Sequence, residues 1–473
     1  MASHDQVLDK VIKKIRPNQS EEKKLTDLAK KTLEISIEVA KKHNAKTILA
    51  GSLTRKTWLP GKKEFDIFIL FPTSLPEDKL EEHGLAVGRE VVKRLKGKFS
   101  VEYAQHPYAS GLVNGIDIDI VPCYEVTSAE NIKSAVDRTP FHVRYIEKSL
   151  PVKLSDDVRL LKQFLTVNNL YGADSKTQGF SGYVCELLVI NYGGFTKVLK
   201  DAVNWVPSQV VDIQRFYKED DYHNLRKKFK NETLILIDPT DKNRNTSSAL
   251  SSENFLRFKK IAKEFLKRPD AKYFSEQKTK PIKSGELNKL LSQRNTEFIV
   301  VKFKPPKLVP DILYPQLRKF TERLQNILEE TKYEFKVLRR DVYTDEKNTA
   351  VVLLEMEISS LPSIQKRIGP SIFDHNDSMR FLGKYKNPIN GPFVEDGKWV
   401  VEIKREFTKA HEKIIDSLKN NSKILKAKGI PNYVSDQLPK GFEVICDKRK
   451  IIKLLKDKRL GVFLKNYFFK EPL

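Results

Sequence analysis

Residues 50–72 read Ala50-Gly51-Ser52-Leu53-Thr54-Arg55-Lys56-Thr57-Trp58-Leu59-Pro60-Gly61-Lys62-Lys63-Glu64-Phe65-Asp66-Ile67-Phe68-Ile69-Leu70-Phe71-Pro72. A Gly-Ser turn ends one apolar strand, and twelve residues after Ser52 a second strand opens at Glu64. Side chains alternate along a strand, so Glu64, Asp66 and Phe68 face one way and Phe65, Ile67 and Ile69 the other. Two carboxylates side by side on so apolar a strand repel each other, and burial disfavours their ionisation. A divalent cation makes such a pair favourable, and carboxylate oxygens suit Mg²⁺ bridging to substrate phosphates. Residues 116–121, Ile-Asp-Ile-Asp-Ile-Val, repeat the pattern with Asp117 and Asp119 on one face. An exposed edge strand would also explain one such run. Two acidic strands after a Gly-Ser turn point instead to a nucleotide–metal site. Glu64, Asp66 and one residue of the second pair could hold two metals about 3.5–4 Å apart, the arrangement used for in-line phosphoryl transfer.

The chain has 473 residues, enough for two to four domains, and carries a net charge of +24 from 86 Lys and Arg against 62 Asp and Glu. The excess is spread along the chain. A folded protein this basic attracts polyanions, nucleic acid first and an anionic membrane second. Cys123, Cys185 and Cys446 lie far apart, with neither metal-ligand spacing nor a disulfide pattern. The first residues lack a signal-peptide core, and no apolar run approaches the roughly 20 residues that span a bilayer. The expectation is a cytoplasmic, reduced protein without membrane contact.

Along the chain, apolar spacing predicts a helix over 20–43, with Asn18 and Glu21 placed as a capping box. Strands 47–50 and 65–71, a helix over 77–96, and strands near 99–105 and 111–121 follow. That order suggests a small α/β palm with helices on one face. Residues 128–270 read as mostly helical, with helices over 155–170, 180–202 and 252–267 and a short strand, Thr233–Ile237, running into Asp238-Pro-Thr-Asp241. The polar stretch 268–295 reads as a linker. From 296 a β-α-β-β pattern begins, of the kind found in ferredoxin-like and RNA-binding sheets. The last 33 residues, 441–473, hold nine Lys and Arg against four Asp and Glu, interleaved with Phe442, Phe463, Tyr467, Phe468 and Phe469.

Other candidate chemistry is local. A Gly-led turn offers N–H groups to a phosphate, and Arg55 adds a bidentate donor beside Ser52. His142 reads as an ordinary partly buried histidine ahead of a triphosphate donor, and Lys162 as a solvated mid-helix lysine. No Walker A motif, Rossmann glycine pattern or zinc-finger spacing is present.

The motifs Gly51-Ser52-x-x-Arg55-x-Thr57-Trp58-Leu59-x-Gly61-x-x-Glu64-Phe65-Asp66, Ile118-Asp119-Ile120-Val121-Pro122-Cys123-Tyr124 and Ser134-Ala135-Val136-Asp137-Arg138-Thr139-Pro140-Phe141-His142 resemble the archaeal, class I CCA-adding enzymes. These are tRNA nucleotidyltransferases of the polymerase-beta superfamily. Arg159-Leu-Leu-Lys162, Gly179-Phe-Ser-Gly-Tyr-x-Cys-Glu-Leu-Leu188, Asp238-Pro-x-Asp241-x-x-Arg244-Asn245 and Leu313-Tyr-Pro-Gln-Leu317 extend the likeness over about 1–370. Thr54 stands where the family often has Ala, and Phe65 where Ile is common.

The resemblance implies an α+β multidomain fold. A polymerase-beta-like nucleotidyltransferase palm would span 1–135, a mostly helical base-recognition domain 136–270, and a ferredoxin-like, RNA-binding α+β body and tail 271–473. It implies two Mg²⁺ held by Glu64, Asp66 and Asp119, with Asp117 a neighbour and not a principal ligand. It implies triphosphate contacts from Ser52, Arg55, His142, Lys162 and Tyr171, and a base-reading role for Arg244. The activity implied is template-independent addition of C, C and A to a tRNA 3′ end from CTP and ATP, with homodimerisation left open. The alternatives are a poly(A) polymerase-like enzyme and a non-catalytic RNA-binding protein on an inactive palm.

Overall fold

The computed structural model describes residues 4–61, 63–103, 106–277, 279–470 and 472. The last two positions of the strand expected over 99–105 lie outside them. The chain divides into two compact units, Met1–Lys278 and Thr279–Pro472. Among the described residues, no helix is long and apolar enough to cross a membrane. The expected α+β multidomain architecture is present.

The first unit begins with helices α1 (His4–Ile15) and α2 (Gln19–Lys41). The Asn18 side chain caps α2 by accepting from the Glu21 N–H at 2.8 Å. A five-stranded sheet follows, in the order β1-β2-β5-β4-β3. Its strands are β1 (Lys46–Ala50), β2 (Glu64–Pro72), β3 (Lys98–Tyr103), β4 (Pro107–Val113) and β5 (Ile116–Glu125). The central pair, β2 and β5, is parallel, and all other neighbours are antiparallel. Helix α3 (Glu77–Arg94) packs with α2 on the apolar face, where Phe65, Ile67, Ile69, Ile118 and Ile120 are buried. The approach is close: a Cβ at Gly88 of α3 would lie 2.1 Å from Ala109 Cβ.

Two expectations for this sheet need correction. The single strand expected over 111–121 is the end of one strand and most of the next. Asn114 (φ 53°) and Gly115 (φ 75°) turn the chain back between β4 and β5. Asn-Gly is a strong hairpin signal, because both residues accept positive φ. Helices also lie on both faces, not one. Helix α4 (Thr139–Ser149) sets Val143 on Ala50, Phe68, Leu70 and Cys123, covering the far end of the acid-bearing face.

Helices α5 (Ser155–Val167), α6 (Gly182–Tyr192), α7 (Phe195–Ala202) and α9 (Ser252–Lys267) bury a second core with α1. Thus α1, within the stretch assigned to the palm, packs on α5. The helix expected over 180–202 is split, because Gly193 and Gly194 adopt φ of 74° and 139°. The central region also carries a small sheet, β6 (Gln209–Val211), β7 (Leu234–Asp238) and β8 (Asp241–Asn245), backed by α8 (Tyr222–Lys228).

In the second unit, the linker expected over 268–295 contains helix α10 (Ser284–Gln293), which buries Leu287 and Leu291. The β-α-β-β pattern is β9 (Glu297–Phe303), α11 (Pro310–Glu329), β10 (Lys336–Thr344) and β11 (Ala350–Ile358). Helices α13 (Ala410–Leu418), α14 (Ser422–Ala427) and α15 (Asn432–Gln437) then lead to β15 (Phe442–Ile445). The antiparallel order β10-β11-β9-β15 is that of a ferredoxin-like sheet. An insertion adds β12 (Ile364–Ser371), α12 (His375–Lys384), β13 (Asn390–Glu395) and β14 (Lys398–Lys404). The chain ends in α16 (Lys448–Lys453) and α17 (Lys458–Phe468). Tyr467 is buried there and donates to Glu355 Oε2 at 2.8 Å, whereas Lys448, Arg449, Lys453 and Lys456 are exposed or half-exposed. Tyr467, with Phe463 and Phe468 packed beside it, therefore anchors the tail, while Phe469 and these cations face outward.

Candidate active site

The parallel pairing of β2 with β5 sets Glu64 opposite Asp117 and Asp66 opposite Asp119. All four carboxylates share the face away from the core. Glu64 and Asp117 are exposed at the strand starts, and Asp66 and Asp119 are half-buried one step in. Burial, the neighbouring charges of Asp119 and Glu64, and only weak relief from Arg55 raise the Asp66 carboxyl to about 7. Asp119 is raised as well, by burial first, with a hydrogen bond to Ser110 opposing. Asp66 and Asp119, held against their own ionisation beside the Glu64 carboxylate, suit a hard divalent cation.

Gly51 and Ser52 follow β1, whose Ala50 pairs with Asp66. Gly51 has φ 90°, and a Cβ there would meet Asp66 Oδ2 at 3.0 Å, so any side chain would press on the acid. The turn closes with Thr57 N–H donating to Ser52 O at 3.0 Å. Beyond it, the chain is tied to the helical core by a residue of the 179–188 motif to which the sequence alone assigns no role. Glu186 on α6 is fully buried. Its Oε1 accepts from Arg55 Nε at 3.1 Å, Thr57 Oγ1 at 2.7 Å and Lys162 Nζ at 3.4 Å. Lys162, whose mid-helix place alone suggests a solvated side chain, is 3 % exposed and also donates to Thr57 O and Oγ1. Burial alone would raise the Glu186 carboxyl; Lys162 and Arg55 hold it below the ordinary range. Tyr171 lies beside this group: a Cβ at Gly182 would be 3.0 Å from its Oη and 3.7 Å from Lys162 Cε. Burial raises the Tyr171 phenol.

His142 and Arg244 gather on a second buried acid, Asp238 at the end of β7. His142 Nε2 and Arg244 Nη1 each lie 2.8 Å from Asp238 Oδ2. Oδ1 accepts from the Thr240 N–H and Oγ1 and from Tyr183 Oη. Burial opposes the charge on Asp238, but these donors, His142 first, hold its carboxyl far below the usual range. His142 stacks on Tyr183 at 4.1 Å. The start of α4 is fixed by Asp137, which accepts from the N–H groups of Tyr124 on β5 and of Ser134. Arg244 also lines an open cleft of about 410 Å³ with Arg138, Asp241, Asn243 and Ser248. An arginine clamped by a buried carboxylate beside such a cleft can present fixed donors to a planar ligand.

Residues 12–142 match the nucleotidyltransferase domain, 156–275 the second domain of tRNA nucleotidyltransferases, and 294–447 the C-terminal domain of CCA-adding enzymes. The CCA-adding enzyme of Methanosarcina mazei is 37% identical over 465 residues, 97% of each chain. That of Methanocaldococcus jannaschii is 37% identical over 447 residues, 93% of this chain and 96% of its own. That of Methanoregula boonei is 36% identical over 432 residues, 91% and 89%.

Proposed function

The chain belongs to the family of CCA-adding enzymes, which extend tRNA without a template, and from that premise we propose that its carboxylate face builds C, C and A from CTP and ATP. The observation that carries the proposal is the in-register pairing of Asp66 with Asp119 beside Glu64, next to the Gly51-Ser52 turn. Glu64, Asp66 and Asp119 would hold two Mg²⁺, which when bound lower the pKa of the tRNA 3′-OH and offset charge on the triphosphate. The 3′ oxygen attacks the α-phosphorus, the bond to the β-phosphate breaks, and pyrophosphate leaves. Ser52, Arg55, His142, Lys162 and Tyr171 serve the triphosphate. Glu186 fixes Arg55 and Lys162, and Asp238 fixes His142, so these side chains keep their places while charge develops. Arg244 reads the base edge: its donors satisfy the acceptors of cytosine or adenine, whereas uracil and guanine present N–H groups there.

The test is incubation with tRNA lacking its CCA end, Mg²⁺ and each labelled nucleotide in turn. C and then A should enter, and addition should stop. Long tails of A alone would instead indicate a poly(A) polymerase-like enzyme, and no incorporation a non-catalytic RNA-binding protein.

Two predictions belong to this reading. Arg244→Ala should lower the preference for CTP over UTP by about tenfold or more, with a smaller change in triphosphate binding. The ratio of kcat/KM values on tRNA lacking CCA measures it, and an unchanged ratio would remove Arg244 from base reading. In the tail, charge reversal at the outward-facing Lys448, Arg449, Lys453 and Lys456 should weaken tRNA binding and flatten its salt dependence, by a slope of about 0.9 for each phosphate no longer neutralised. Filter binding should show a smaller effect on an acceptor-stem minihelix. Equal weakening for both RNAs would show that the tail is not a distal grip.

A further inference from the structure

Glu297, His411 and Cys446 are 114 and 35 residues apart in sequence and form no ligand motif, yet the second unit brings them together. Glu297 opens β9, the strand that pairs with both β11 and β15. Cys446 directly follows β15, whose Ile445 pairs with Val300. By alternation, Glu297 and Cys446 face the same side as Ile299 and Val301, the side on which α13 packs. His411 is the second residue of α13.

One carboxylate oxygen, one ring nitrogen and the sulfur all lie within 4.8 Å of one another. All three residues are half-buried. His411 Nδ1 stands 3.6 Å from Glu297 Oε1, too far for a hydrogen bond. That nitrogen is buried and has no hydrogen-bond partner among the described residues. Two ligands of a tetrahedral zinc ion, each at about 2.0–2.2 Å, are themselves about 3.4 Å apart. The spacing is thus poor for a hydrogen bond and close to that of two ligands sharing one cation. Burial, with Glu297's charge and hydrogen bond, pushes the Cys446 thiol up to about 12. A cation among the three would reverse that cost.

We propose that Glu297, His411 and Cys446 form a binding site for a divalent transition-metal ion of the zinc class, separate in chemistry from the all-oxygen palm. The mixed S, N and O donors select zinc or cobalt over magnesium or calcium. Three protein ligands leave a fourth position for water or another small ligand. On binding, Cys446 gives its proton to solvent and coordinates as thiolate. The ion would join β9, β15 and α13, three elements distant in sequence.

The test is a Co²⁺ titration of the metal-stripped full-length chain in excess Mg²⁺, which keeps the palm carboxylates occupied. A thiolate-to-cobalt charge-transfer band should appear, saturate at one equivalent and vanish on adding Zn²⁺. Cys446→Ser should lose the band, and His411→Ala should weaken binding by more than about tenfold. Cys123 and Cys185 are fully buried and should not contribute. No band in the wild-type chain, or a band that survives in Cys446→Ser, would overturn the proposal. If Cys446→Ser does not fold, zinc X-ray absorption of the wild-type chain decides: sulfur beside nitrogen or oxygen around the ion supports the site, and oxygen alone overturns it.

Discussion

Glu186→Ala is expected to destabilise the first unit by about 3–5 kcal/mol, the cost of leaving buried charges without their partner. Glu186 is fully buried, and the side chains of Arg55 and Lys162 are only 12 % and 4 % exposed. Removing the acid strands both cations and the Thr57 hydroxyl. Thermal unfolding should show a midpoint lower by about 10 °C. The double change Glu186→Gln with Lys162→Met should recover much of that stability, because no uncompensated ammonium remains. Turnover should stay low in both, since Arg55 loses its charged partner and, in the double variant, Lys162 is also removed. A midpoint within about 2 °C of wild type for Glu186→Ala would show that solvent satisfies these groups and that Glu186 organises nothing.

Asp66→Asn should have the opposite signature. Turnover should fall by about a thousandfold or more, the scale of several kcal/mol of transition-state stabilisation. Stability without divalent ions should rise. The folded Asp66 carboxyl is raised from 3.8 to about 7, so its ionisation opposes folding. A raised carboxyl favours the folded state while protonated, and that advantage is lost as pH rises from about 4 to about 7. Above that window the Asn variant, which never ionises, should unfold a few degrees higher than wild type in chelator. Adding Mg²⁺ should stabilise wild type and leave the variant nearly unmoved. Because tRNA affinity rests on distributed cations, filter binding should change little. A variant that turns over normally, or that is less stable than wild type in chelator, would contradict the carboxylate-face assignment.

What could be read from the sequence was whatever strand periodicity carries. Glu64-Phe65-Asp66 and Asp117-Ile118-Asp119 alternate so regularly that face and pairing follow, and the structure sets them in register. The β-α-β-β run from 296 was equally legible, because each element is bounded by polar turns. The buried acids were not. Glu186 sits in Val184-Cys-Glu-Leu-Leu-Val189, where nothing local marks partners more than a hundred residues upstream. Asp238 reads as a turn residue, and its link to His142 exists only once β7 and α4 are placed. The usable signal in both cases is a lone acid in a stretch otherwise buried, which requires a cation or a set of donors. The Asn114-Gly115 hairpin was visible but masked by apolar residues on both sides. Helix α10 was hidden by the polar residues around Leu287 and Leu291. Cys446 could not be joined to His411 or Glu297, because their proximity depends on β15 returning to β9.

We assign nucleotidyl transfer to Asp66 and Asp119 and not to acidity of the sheet edge in general. Asp117 is the internal control: it shares the strand and face of Asp119 but is exposed and pairs with Glu64. Single-turnover CTP addition to tRNA lacking CCA, measured for Asp117→Asn and Asp119→Asn side by side, tests it most directly. Asp119→Asn should be inert, and Asp117→Asn should stay within about tenfold of wild type. Equal impairment of both variants, or turnover by Asp119→Asn, would contradict it.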